Sequence, residues 1–160
     1  MNAFLSVAVK VMAGSVRGVL PVVVLGLLVS SCDRASESPL PVSRLTPQQP
    51  CDVRQGCRAA DDSVAVTVTF GAQPRALQPF PLHIQVDGPQ RVDSVTVAFS
   101  MPDMDMGANR YRLIAEASAG WHADITLPIC MSGRTDWLAD FELVVADRRL
   151  QMQVPFVLEK

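Results

Sequence analysis

From Ser63 to the C-terminus, apolar and polar residues alternate with a period of two. Val64, Val66, Val68 and Phe70 fall on one face of an extended chain and Ala65, Thr67 and Thr69 on the other, before Gly71 to Pro74 breaks the run. The pattern returns at Leu82, Ile84 and Val86, at Val95, Val97 and Phe99, and at Tyr111, Leu113 and Ala115. It continues at Trp121, Ala123, Ile125, Leu127 and Ile129, then in odd positions from Trp137 to Val145 and in even positions from Leu150 to Leu158. No segment sustains a 3.6-residue period. Seven short strands at roughly ten-residue spacing, joined by Gly, Pro and Asp turns, predict an all-β domain over residues 63–160. The expected architecture is a seven-stranded antiparallel immunoglobulin-like β-sandwich; a seven-stranded barrel would leave a similar pattern. Each strand supplies one inward stripe, so two sheets can bury a common core about 10 Å thick without a cofactor.

The first 31 residues follow another logic. They contain Lys10 and Arg17 but no acid, and an apolar run from Gly18 to Leu28 ends in Val29-Ser30-Ser31-Cys32. A positive front and an apolar middle are the layout of a secretory signal, and the tetrapeptide resembles the bacterial lipobox, whose cysteine is acylated and becomes the mature N-terminus. The apolar run is shorter than the about 20 residues that cross a bilayer, and it carries Pro21. Met12 is an alternative start that leaves the mature chain unchanged. Residues 1–31 are therefore expected to be a lipoprotein signal peptide, and lipid on Cys32 to hold the chain at a bacterial cell membrane on its periplasmic side. Asp33 favours the inner membrane by the enterobacterial rule, without deciding the matter. Residues 32–62, with Pro39, Pro41 and Pro47 and little periodicity, read as a lipidated, flexible tether that includes a cysteine loop.

Cleavage after Ser31 leaves 129 of 160 residues, one ordinary domain plus its tether. All 16 acids remain while the basic residues fall from 14 to 12, so the formal charge moves from −2 to −4. With no run of Lys or Arg to follow a phosphate backbone, the charge argues against nucleic acid as a partner, and none is expected. Beyond Cys32 the chain has Cys51, Cys57 and Cys130, in a compartment that allows disulfides. Cys51 with Cys57 is the favoured pair, since the five intervening residues include Gly56 and can fold back; pairing of either with Cys130 is the rival. The spacing does not suit zinc, and no His lies near it.

One stretch is chemically unusual. Met101-Pro102-Asp103-Met104-Asp105-Met106-Gly107 places three thioethers within six residues, on an expected loop between two strands. Thioether sulfur suits soft Cu(I), and methionine does not titrate near neutral pH. Met104 and Met106 point the same way on an extended chain, about 7 Å apart, and a bend at Pro102 brings Met101 towards the same point. The competing reading is core filling, which suits Met101 best because it continues the inward parity of Val95, Val97 and Phe99. His122 could join the methionines through a hairpin, and His83 is a weaker candidate. Met131, beside Cys130, adds a sulfur that is expected at the opposite end of the domain. Arg134 is expected to pair with Asp136 or cover Trp137.

With Pro81-Leu82 opening a strand and Val95 to Met106 closing on Met-Pro-Asp-Met-Asp-Met, the chain resembles the YtkA-like and FixH-like extracytoplasmic domains over about residues 63–158. The resemblance implies a small immunoglobulin-like sandwich, tethered to a membrane, with a part in copper handling or the assembly of a membrane protein complex. No nucleophile elbow, phosphate loop, dinucleotide fingerprint or His-x-x-x-His pair occurs, and no enzymatic activity is expected. Two functions are therefore expected to compete. One is Cu(I) binding or delivery through Met101, Met104, Met106 and His122; the other is a membrane-anchored protein-interaction module in which metal plays no part.

Overall fold

Strict alternation gives long strands wherever large residues fill one face. The computed structural model describes residues 39–117 and 120–159. Over these the chain forms β1 (Val42–Leu45), β2 (Cys57–Ala60), β3 (Ala65–Phe70), β4 (Phe80–Asp87), β5 (Val92–Met101), β6 (Met104–Arg112), β7 (Ile114–Ala115), β8 (Gly120–Ile125), β9 (Asp136–Val145) and β10 (Arg148–Val157). None of these elements is a helix, so no helix among the described residues is long and apolar enough to cross a membrane. Cys32 and the apolar segment before it lie outside the described residues.

The strands form two five-stranded sheets, ordered β1-β10-β9-β5-β6 and β2-β3-β4-β8-β7. All pairings are antiparallel except β1 with β10, and one contiguous core draws on both sheets. The architecture is thus an all-β, sandwich-like arrangement. Seven strands were expected from alternation. The larger number arises because β1 and β2 fall within the stretch read as tether, and because the expected fourth strand divides into β6 and β7. At that division Leu113 is buried and donates its N–H to Val95 O (2.9 Å).

Aromatic side chains tie the sheets together. Phe70 of β3 meets Phe156 of β10 edge-on, with centroids 5.1 Å apart, and Phe99 of β5 meets Phe156 at 5.9 Å. Edge-to-face pairs add about 0.5–1.5 kcal/mol each beyond their buried area, so this triad fixes how the sheets face each other. The expected Cys51–Cys57 disulfide is present, and Cys130 is free.

The ladder register defines two ends. β10 finishes at Val157, opposite Asp136, at the end where β5 turns into β6. β1 runs parallel to β10 with Val42 opposite Arg149, so the described chain enters the domain at the other end. Asp61 closes that end. Its Oδ1 accepts the N–H groups of Ser63 (2.8 Å) and Val64 (2.9 Å), and its Oδ2 accepts from Arg148 (2.9 Å). The Ser63 and Val64 N–H groups, with smaller help from Ser63 Oγ and Arg148, lower its pKa to about 2. A depressed carboxylate stabilises the fold above its unfolded pKa and loses that contribution as pH falls through its folded value. Asp61→Asn is therefore expected to cost about 1–2 kcal/mol at pH 7, allowing for partial solvent screening. Urea titrations should show this difference shrinking between pH 4 and pH 2; a difference that stays constant would refute the assignment.

Candidate functional site

The methionine stretch is a tight hairpin rather than a loop. Pro102 and Asp103 form the turn, with Asp103 left-handed (φ 59°), the sequence and backbone pattern of a type II turn. Met101 and Met104 thereby become direct partners across the β5–β6 ladder. Next to them the register jumps, because the two-residue step from Phe99 to Met101 faces the five-residue step from Met104 to Asn109. The bulge is held by Asp105 Oδ1, which accepts from Gly107 N (2.8 Å), and by Asn109 Nδ2, which donates to Met106 O (2.8 Å). Gly107 supplies the positive φ of 71° that the bulge requires. Met101 is buried, whereas Met104 and Met106 are half-buried and pack against the core. The inward parity that breaks at Pro102 is thus recovered on the far side of the turn.

Cys130 reaches this hairpin from the segment that crosses between the two sheets. It lies in the crossover from β8 to β9, which was expected at the opposite end of the domain. The chain leaves the methionine turn along β6 and β7 and returns along β8, one pass out and one back, so the crossover lies at the same end. The Cys130 thiol is 3.8 Å from Met104 Sδ and 3.0 Å from Ser132 Oγ, and Ser132 Oγ is itself 3.8 Å from Met104 Sδ. Arg134 fastens the crossover to the hairpin: Nη1 donates to Pro102 O (3.0 Å), while Nε donates to Asp136 Oδ1 (2.9 Å). The expected pairing of Arg134 with Asp136 is therefore present, and it holds the Asp136 carboxyl below the usual range and the guanidinium above its own.

The surroundings of the thiol lower its pKa from the ordinary value. The hydrogen bond from Ser132 lowers its pKa most, and the Ser132 and Arg134 N–H groups and the Arg134 charge act in the same direction. Desolvation opposes them, since Cys130 is only 6 % exposed, and the net shift is downward. On one side the sulfur meets Met104. On another it lines a cavity of about 430 Å³ together with Ile129, Leu158, Arg75 and Arg134.

The two sulfurs fit a shared soft ion. Ligands bonded to one ion at about 2.3 Å must lie within about 4.6 Å of each other, and 3.8 Å meets that condition without rearrangement. Among the described residues no group of three or more His, Cys, Asp or Glu side chains is placed to hold a metal. Of the expected ligands, the hairpin brings Met101 and Met104 together, with Met106 two residues along the same strand. His122 is not brought to them. It lies on the second sheet opposite Ile114 and His83, with ring centroids of the two histidines 6.5 Å apart. Its Nδ1 lies 3.0 Å from Glu116 Oε1, off the line of a hydrogen bond. Sequence pattern does not reveal Cys130 and Ser132 as neighbours of Met104; the one available signal is the cysteine left over once Cys51 pairs with Cys57. A larger depression of about 590 Å³, on the outer face of the first sheet, is lined by Arg44, Arg110, Asp140 and Glu142 and contains none of these sulfurs.

No family model, curated protein or solved structure matches this chain.

Proposed function

We propose that this protein is a periplasm-facing, membrane-anchored lipoprotein with an immunoglobulin-like domain that binds or delivers Cu(I), in support of assembling a membrane protein complex. The observation that carries the reading is the 3.8 Å approach of Cys130 Sγ to Met104 Sδ; the neighbouring Ser132 and Arg134 groups lower the thiol pKa. Soft thioether and thiolate together suit Cu(I) over Mg²⁺, Ca²⁺ or Mn²⁺, which prefer oxygen. Met104 and Cys130 would hold the ion. Met101 and Met106 support the hairpin and supply thioethers close by, and the Ser132 hydroxyl and Arg134 orient the thiol. His122 has no part in this centre. Bound Cu(I) would supply a labile, soft cation that can be passed on by ligand exchange.

Anchorage through Cys32 rests on the N-terminal pattern alone. A second reading, a protein-interaction module, is favoured by exposed Leu77, Ile129 and Met131. Leu77 donates its N–H to Leu127 O (2.8 Å), and its neighbours Ala76 and Gln78 line the Cys130 cavity with Ile129. Titration of the mature chain with Cu(I) against a chromophoric competitor separates the readings. One equivalent should bind, and Met104→Leu should weaken it at least tenfold with little change in the apo melting temperature. Absence of competitive binding by the wild type would sink the copper reading and leave the interaction module.

A further inference from the structure

Among the described residues Met131 is the most exposed large apolar side chain, at 96 %, where Val42, Leu77, Ile114, Ile129 and Val157 are 51–64 % exposed. Its position makes this notable. It follows Cys130 directly and precedes Ser132, so it lies between the two residues that touch Met104 Sδ. The segment is a turn, closed by Gly133 N donating to Cys130 O (2.9 Å), with Gly133 in the positive-φ conformation (74°) that turns it back towards Arg134. Burying an aliphatic chain is favourable and leaving it exposed is not, and packing gives no reason for a thioether here. Metal exchange does give one. Cys130 is almost wholly buried and Met104 half-buried, so a carrier cannot present its cargo to both sulfurs directly. A flexible thioether with three rotatable side-chain bonds, anchored one residue from the thiol, can reach from solvent to the buried pair.

We infer that Met131 is the exchange ligand of the proposed Cu(I) site, taking the ion from a soft, sulfur- or nitrogen-bearing carrier and passing it to Cys130 and Met104. This rests on the reading of the sulfur pair as a Cu(I) site. In the step, a bond from Met131 Sδ to copper forms as one carrier bond breaks. Cys130 Sγ then bonds to copper as the remaining carrier bonds break and the carrier departs, the thiol proton passing to solvent; Met104 Sδ bonds as the Met131–copper bond breaks. Copper stays Cu(I) throughout, so no oxidant or reductant is needed. The described chain enters at the far end of the domain.

Stopped-flow transfer of Cu(I) from its bicinchoninate complex to the full mature chain tests the inference. Met131→Leu keeps an exposed apolar side chain of similar size and removes the thioether. It should slow uptake at least about fivefold while equilibrium affinity, from competition titration, stays within about twofold. Equal rates in the two proteins would overturn the inference and leave the buried site intact. Affinity lost in proportion to rate would also overturn it, by making Met131 a permanent ligand. Failure of the wild type to take up Cu(I) at all would remove both the site and its exchange ligand.

Discussion

Trp137→Ala is expected to destabilise the domain by about 3–5 kcal/mol, the largest stability effect of any single truncation proposed for this chain. Trp137 is the largest fully buried side chain, 1 % exposed, and it faces Phe156 across the β9–β10 ladder. It follows Asp136, so its indole packs in the core directly behind the ion pair that fastens the β8–β9 crossover to the methionine hairpin. Removing it leaves a cavity that neighbours on two long strands cannot close without breaking register. Its Nε1–H finds no partner among the described residues, so part of the burial energy already offsets an unmade hydrogen bond. Trp137→Phe removes that unpaired N–H while keeping most of the apolar area, and it should cost no more than about 1.5 kcal/mol. Chemical denaturation of the three proteins measures both values. Equal losses for Ala and Phe would show that the indole is held by something other than packing.

The same residues show which parts of the fold sequence pattern reveals. Residues 137 to 145 and 150 to 158 carry an apolar residue at every second position, and every one of these predicted inward positions is buried. Long strands with one buried face leave period two as the only consistent register. β2 escaped notice because its inward residues are Cys57 and Ala59, too small to stand out although both are fully buried. β1 has four residues among prolines and pairs only with β10, in parallel, so its partner is more than a hundred positions away. On β6 the bulge at Asp105 to Ala108 interrupts the alternation, hiding that Met104 and Met106 share the inward face. Half of the candidate site was legible for the same reason. Thioethers crowded within one hairpin are a local signal, whereas Cys130 and Ser132 arrive on the crossover between the sheets through topology, which composition and spacing do not encode.

Cu(I) binding by the wild type is expected to weaken about tenfold for each unit that pH falls below the Cys130 pKa, and to be flat above it. The reason is that a thiol must lose its proton to become a ligand, whereas a thioether has none to lose. Sites built from Met101, Met104 and Met106 alone would therefore bind with no proton dependence. The sign of the Cys130 shift fixes where the fall begins. The Ser132 hydrogen bond, two N–H groups and the Arg134 charge hold the thiol below its ordinary value, so binding should survive to lower pH than a free cysteine allows. Competition titrations from pH 8 to pH 5 measure the slope, and two variants assign it. Cys130→Ser should bind at least a hundredfold more weakly at pH 8, with no remaining slope; Ser132→Ala should keep the slope but start to fall at higher pH. If wild type and Cys130→Ser give parallel, flat profiles, the thiol is not a ligand, and any copper is held by the methionine hairpin alone. A slope that disappears with Cys130 but not with Met104→Leu would identify the thiolate as the primary donor and the thioether as its partner. That order would also follow from burial: a Cu(I) ion lodged against the buried Cys130 sulfur would be retained, and the weaker, neutral Met104 bond would be the one to open on transfer.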